Sequence, residues 1–174
     1  MTLRDVASDV ISRQEPALAQ HAIWAERAKM LRTDRLTGLT NRFGWNEELE
    51  AAMAETVRSG GPLIVARIDL DNRRSADLNE ELTSFAARAH GVVRKADLFA
   101  RLEGDVLVVA LTRCPITVAR TILERIRRSA GEGQACSVGW TAWNRQESAD
   151  MLMDRASQAL TAAQVAGGNR VVEA

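Results

Sequence analysis

A tight hairpin in the second half of the chain limits the sheet that this sequence can form. Residues 98–102 and 106–111 are two β-rich apolar runs, and only residues 103–105 separate them. So short a connection joins antiparallel neighbours, because parallel strands need a crossover of a dozen or more residues. The sheet that contains these runs is therefore at least partly antiparallel.

The rest of the chain alternates helical and strand-like segments. Their patterns predict helices over residues 42–58, 80–93, 116–130 and 148–166, and strands over 63–71, 136–143 and 170–173. Breakers of helical structure, S-G-G-P at 59–62 and the Gly167-Gly168 pair, end the first and last helices. Val118, Ile122 and Ile126 predict one apolar face for the third helix. We expect an α/β fold with a mixed, mostly antiparallel sheet flanked by helices.

Charge and composition exclude several classes of protein. The 174 residues carry 23 Lys and Arg against 23 Asp and Glu, which removes the field that capture of nucleic acid needs. No apolar run approaches the roughly 20 residues of a membrane span, and residues 1–6 contain no apolar signal core. Two cysteines, Cys114 and Cys136, are expected to be buried thiols in a reducing cytoplasm. The composition predicts a cytoplasmic protein.

The first 34 residues are predicted to be helical. Val10, Ala17, Trp24 and Leu31 follow one another at heptad spacing, while Pro16 interrupts the segment. This column predicts a dimerising helix, and the alternative is a helix packed on its own domain.

Two acidic residues are candidates for a metal site. Asp69 ends the first strand, and Asp105 lies at the tip of the hairpin. Carboxylates from two neighbouring strand ends can hold Mg²⁺ and a nucleotide phosphate. Solvated turn residues are the alternative interpretation.

Several segments together resemble one family. Residues 34–42, D-R-L-T-G-L-T-N-R, are similar to the segment that opens the GGDEF domain of diguanylate cyclases. The similarity continues through I-D-L-D-N at 68–72 and R-K-A-D-L-F-A-R at 94–101, and E-G-D-V-L at 103–107 stands where G-G-D-E-F belongs. The resemblance implies a palm-like nucleotidyl-cyclase fold for residues 34–174. Residues 1–33 would then be an N-terminal signalling and dimerisation helix.

The resemblance also implies a degenerate catalytic site. In the family, two domains each present one GTP, and by position Asp69 and Asp105 would hold the metal ions. Glu103 and Val106 replace a Gly and a Glu of the signature, while Gln164 and Gly168 replace the Lys and Arg that face the triphosphate. In the family, the segment after the first strand reads the guanine base. The corresponding segment after residue 72 lacks the family's pattern and is about seven residues shorter than in the family. We expect no catalysis and only a vestigial Mg²⁺ site.

One further motif of the family is kept. Arg94 and Asp97 match its R-x-x-D inhibitory site, which binds cyclic di-GMP, and Arg125 matches the position of a second arginine. The expected function is therefore an inactive GGDEF signalling protein that binds cyclic di-GMP and forms a homodimer through its N-terminal helix. The alternatives are an active diguanylate cyclase that converts two GTP to cyclic di-GMP, or a nucleotide-free scaffold for another signalling protein. For Arg94 and Asp97 themselves, the alternative is a simple surface turn.

Overall fold

The computed structural model describes residues 29–71, 78–131 and 133–174, in which five strands alternate with four long helices. The helices are α1 (Arg42–Ser59), α2 (Leu78–His90), α3 (Ile116–Arg128) and α4 (Ala149–Val165). The strands are β1 (Leu63–Asp71), β2 (Leu98–Glu103), β3 (Val106–Thr112), β4 (Ala135–Ala142) and β5 (Val171–Glu173). Residues 29–32 are also helical, but the predicted N-terminal helix ends there, because Thr33 forms a β-bridge with Thr40. Residues 1–28 of that predicted helix lie outside the described residues.

The strands form one sheet in the order β2-β3-β1-β4-β5. The pairs β2–β3, β3–β1 and β1–β4 are antiparallel, and β4–β5 is parallel. The predicted mixed, mostly antiparallel sheet is therefore confirmed, as is the hairpin. Its turn is shorter than predicted, because Glu103 pairs with Val106 and belongs to β2. Only Gly104 and Asp105 connect the two strands, and Gly104 has the left-handed φ of +50° that glycine adopts readily.

Helices cover both faces of this sheet. Side chains of a strand point alternately to its two faces, so Ile64, Ala66 and Ile68 of β1 pack in the cluster that α2 and α3 complete. Leu63 and Val65 pack in the other cluster, with residues of α1 and α4. By the same alternation, Arg67, Asp69 and Asp71 lie on the α1/α4 face.

Two sequence predictions about helices need correction. Helix α2 ends at His90 and not at residue 93, because the chain tightens into a turn in which Val92 N–H donates to the Ala89 carbonyl. Val118 is exposed, since the buried face of α3 consists of Ala119, Ile122, Leu123 and Ile126. The apolar stripe is thus shifted by one residue at its start.

The motif at residues 34–42 holds the hairpin in place. Asp34 accepts hydrogen bonds from the Thr37 backbone N–H at 2.9 Å and the Thr37 hydroxyl at 2.7 Å. Its two oxygens also accept from Arg101 of β2, each at 3.1 Å. Arg101 N–H donates to the Thr40 carbonyl, and the Arg101 side chain donates to the Gly104 carbonyl at 2.8 Å. One ion pair therefore connects the opening motif to the turn of the hairpin.

Helix α4 lies directly against the sheet at Gly139 of β4. A Cβ atom at Gly139 would fall 1.8 Å from the Leu160 backbone nitrogen and 2.4 Å from the Ala159 carbonyl carbon. Only glycine permits this approach, which places the C-terminal end of α4 next to the end of β1. Among the described residues, no helix has both the length and the apolarity that crossing a membrane requires.

Candidate functional site

Arg94 and Asp97 lie in the turn that leads from α2 to β2. The Asp97 carboxylate accepts from the Arg94 backbone N–H at 3.0 Å and from the Thr112 backbone N–H at 3.1 Å. The Thr112 hydroxyl donates to the Ala96 carbonyl at 3.1 Å. These bonds fix the turn to the end of β3. Because an ionised carboxylate has about four lone-pair sites, Asp97 keeps acceptor capacity beyond these two bonds.

A groove of about 520 Å³ lies between this turn and α1. Apolar side chains form one part of its wall, namely those of Ala51, Ala52, Ala96 and Leu98, and the carboxylates of Glu48 and Glu55 also line it. Arg94 and Asp97 both line it, together with Arg113. An apolar wall bordered by arginines suits a planar ring that carries phosphate, because guanidinium groups stack on rings and bind phosphate in a bidentate manner.

Arg113 is a lining residue that no sequence motif identified. It follows Thr112 directly and has a left-handed φ of +49°. Its guanidinium pairs with Glu55 of α1 at 2.5 Å, and Glu55 also accepts from Arg58 at 2.7 Å. The hydrogen bonds from Arg58 and Arg113 lower the pKa of Glu55. One carboxylate therefore shares its charge with two arginines.

The two predicted arginines are placed differently. Arg94 lines the groove, whereas Arg125 lies exposed in the last turn of α3 and is not among the lining residues. Arg127, two residues further along α3, is not a solvated side chain like Arg125. Arg127 donates to Glu124 at 2.9 Å and to Asn169, and only 18% of its side chain is exposed.

Asp69 and Asp105 lie at one end of the neighbouring strands β1 and β3. The last paired residues of that ladder are Ile68 and Leu107, so Asp69 follows it by one residue and Asp105 precedes it by two. The Asp69 carboxylate accepts a hydrogen bond from the Gln164 side-chain amide of α4 at 2.8 Å. The residue that replaces the lysine of the resemblance is thus bonded to the proposed metal ligand.

Asp71, two residues further along β1, is bound in the same region. Its Oδ2 accepts from the Ser137 hydroxyl at 2.9 Å and from the Asn169 backbone N–H at 2.7 Å. A Cβ atom at Gly168 would lie 2.8 Å from that same oxygen. The end of α4 and the residues after it therefore pack closely on the carboxylates of β1.

Two arginines also belong to this face of the sheet. Glu103 of the altered signature pairs with Arg42 of α1 at 2.7 Å. Arg67, in the middle of β1, is half-buried, and its Nε is buried without a hydrogen-bond partner. Burial, together with the charge of Arg42, lowers the pKa of Arg67, and the charges of Glu103, Asp154 and Asp69 offset only part of this effect. The sequence signal for Arg67 was a single charge inside an apolar strand.

These residues do not fit the Mg²⁺ that the resemblance implies. Mg²⁺ requires a nearly octahedral set of oxygen ligands, whereas Asp69 is bound by an amide donor and the cation Arg67 lies close by. Across residues 29–71, 78–131 and 133–174, no three or more His, Cys, Asp or Glu side chains are grouped to hold a metal ion.

Cys114 and Cys136 are free and buried, as predicted, and burial raises the pKa of both thiols.

Comparisons with known proteins all point to one family. A family model described as "Diguanylate cyclase, GGDEF domain" matches residues 31–170. The diguanylate cyclase DgcP of Pseudomonas aeruginosa is 32% identical over a match that covers 97% of this chain and 28% of that protein. The diguanylate cyclase DgcS of Shewanella oneidensis is 27% identical over 89% of this chain and 58% of that protein. The chain thus spans between about a quarter and three fifths of the length of these relatives.

Solved structures share the fold. The coiled coil and GGDEF domain of DgcB from Caulobacter crescentus, in complex with c-di-GMP, matches with a TM-score of 0.83 and 25% identity over 100% of both chains. The GGDEF domain of the same protein, also in complex with c-di-GMP, matches with a TM-score of 0.76 and 26% identity, covering 82% of this chain and 93% of that one. Diguanylate cyclase SiaD of Pseudomonas aeruginosa, solved with its activator SiaC, has the same fold with a TM-score of 0.76 and 24% identity, covering 98% of this chain and 77% of that one.

Proposed function

Since the chain belongs to the family of GGDEF diguanylate cyclase domains, we propose that it is a signalling module that binds cyclic di-GMP at Arg94 and Asp97 and does not synthesise it. The observation that carries this proposal is the difference between two regions. The Arg94–Asp97 turn is fixed by backbone hydrogen bonds and borders an open groove. At the region around Asp69, the Gln164 amide already donates to the Asp69 carboxylate, and Arg42 already pairs with Glu103 of the altered signature.

The chemistry of the turn suits a cyclic guanine dinucleotide. Arg94 can bind a phosphate and a guanine edge through its planar guanidinium, and these charge-assisted hydrogen bonds are strong. The remaining lone pairs of Asp97 can accept from guanine N–H groups. The DgcB structures, which contain c-di-GMP, support this ligand class by similarity.

Loss of synthesis is expected because this chain lacks several side chains that a cyclase of this family uses. Gln164 and Gly168 carry no charge to balance a triphosphate, and the Gln164 amide is already bonded to Asp69. Glu103 adds a negative charge where phosphates would approach, and Val106 has no oxygen to offer a metal ion. Each lost charged contact is worth about 1.5–3 kcal/mol.

Binding calorimetry tests the ligand site. Arg94→Ala should weaken binding of cyclic di-GMP about ten- to a hundredfold, because it removes charge-assisted contacts. Lys95→Ala is the matched control, since Lys95 is the adjacent exposed cation and lines a different groove. Asp105→Asn should leave the affinity nearly unchanged.

Asp97→Asn should also weaken binding. Because Asp97 holds the turn through its hydrogen bonds, the thermal unfolding of this variant has to be measured alongside its affinity. If wild type gives no heat with cyclic di-GMP, or if Asp105→Asn abolishes binding while Arg94→Ala does not, the proposed site is wrong.

The second candidate function is an active cyclase. It is favoured by the 32% identity to the diguanylate cyclase DgcP and by the retained Asp69 and Asp105. Incubation of the protein with GTP and Mg²⁺ or Mn²⁺, followed by chromatography, separates the two proposals. Multiple turnovers to cyclic di-GMP would establish the cyclase. A protein that neither forms the product nor binds it would be the nucleotide-free scaffold.

We also propose that residues 1–33 are a signalling helix that pairs two copies of the domain at residues 34–174. The likeness to the DgcB structure supports this arrangement, because it includes a coiled coil and extends over the whole of both chains.

A further inference from the structure

Arg67 stands where an ordinary central strand has an apolar residue. It lies in β1 between Ala66 and Ile68, both fully buried, and its antiparallel neighbours are Val108 of β3 and Gly139 of β4. The alternation of the strand puts its side chain on the same face as Asp69, two residues later. A charged side chain at such a position is costly unless other charges or hydrogen bonds compensate it.

Carboxylates provide part of that compensation, although burial still lowers the pKa of Arg67. Glu103, Asp154 and Asp69 act on the Arg67 guanidinium by charge, and they come from three different elements, β2, α4 and β1. The fourth charged group in range is Arg42 of α1, which is itself paired with Glu103 at 2.7 Å. Two arginines, Arg67 and Arg42, therefore lie among the acidic groups of this face.

We infer that the guanidinium of Arg67 serves as the built-in cation of this face, taking the role that a divalent metal ion has in metal-dependent members, so that Asp69 is balanced without metal. A second cation placed beside Asp69 would be repelled by Arg67, because like charges at short range interact strongly in a partly buried site. The Gln164 amide, bonded to Asp69, occupies a further acceptor position. This inference is independent of cyclic di-GMP binding at Arg94.

Removal of the built-in cation should create metal affinity. Titration with Mn²⁺, followed by the loss of the free-ion signal in electron paramagnetic resonance, should show no binding to the wild-type chain up to about millimolar concentration, the range of weak sites. Arg67→Met removes the charge and keeps an apolar stem, and it should raise the affinity for Mn²⁺ at least about tenfold. The double variant Arg67→Met with Asp69→Asn should lose this gain, which places the ion at Asp69.

Three further variants serve as controls. Arg67→Lys keeps the charge and should not bind Mn²⁺, while Arg67→Gln is a second neutral variant in case the methionine variant does not fold. Arg120→Met, which removes an exposed cation of α3, should behave as wild type. The inference is overturned if the wild type binds Mn²⁺ tightly and loses it with Asp69→Asn, or if folded neutral variants of Arg67 gain no affinity.

Discussion

At the scale of single residues, the ion pair of Asp34 with Arg101 connects the opening motif to the hairpin. The side chains are only 20% and 17% exposed, so water screens the pair weakly. Burial raises the pKa of Asp34, but the hydrogen bonds from Thr37 and Arg101 outweigh it and hold the pKa below the ordinary value. A carboxyl with a lowered pKa stabilises the fold above its unfolded pKa, and this contribution is lost as the pH falls through the folded pKa.

We therefore expect Asp34→Asn to destabilise the domain by about 2 kcal/mol at pH 7, because it removes hydrogen bonds to a charged group. The difference from wild type should shrink as the pH falls below about 4, the ordinary pKa of an aspartate, and on through the lowered pKa of folded Asp34. Urea unfolding over this pH range measures the effect, with Glu50→Gln as a control at an exposed carboxyl. A loss that does not shrink at all as the pH is lowered from 7 through the acid range would show that the ion pair does not cause it.

At the scale of elements, the contact between α4 and β4 determines where Gln164 lies. Gly139→Ala would bring a methyl group within 1.8 Å of the Leu160 nitrogen, and a backbone atom cannot move aside as a side chain does. We expect a loss of about 3 kcal/mol in the free energy of unfolding, the upper part of the range for overpacking. Thr161→Ala, on the exposed side of the same helix, should change it far less. Unchanged stability in Gly139→Ala would mean that α4 does not lie this close to β4.

At the scale of the whole molecule, apolar residues near the N-terminus lack cover in a single copy. Met30 is 71% and Leu31 is 70% exposed, and Leu31 is the last member of the predicted heptad column. A partner helix would bury them. Sedimentation should show a dimer of the full chain, and both Leu31→Asp and deletion of residues 1–33 should shift it to monomer. A monomer at high micromolar concentration of the unaltered chain would contradict this.

Local sequence patterns determined most of the elements and the turn that carries Arg94. The strand over 63–71 has the predicted bounds, and the hairpin and the S-G-G-P helix stop are where the pattern put them. Alternation of apolar residues and turn chemistry are properties of neighbouring residues, so the sequence displays them directly. The position of Arg94 three residues before Asp97 is local in the same sense, as is the stripe of α3 apart from Val118.

Only the tertiary structure decided how distant charges pair. The bonds of Gln164 to Asp69, Glu103 to Arg42 and Arg113 to Glu55 join residues 95, 61 and 58 positions apart. The role of Arg67 depends on carboxylates from three elements. Such pairs form because packing brings separate elements together, and the charge of a residue does not specify its partner. The sequence therefore identified the family and the candidate ligand turn, whereas the surroundings of Asp69 depend on the close packing of α4 on the sheet at Gly139.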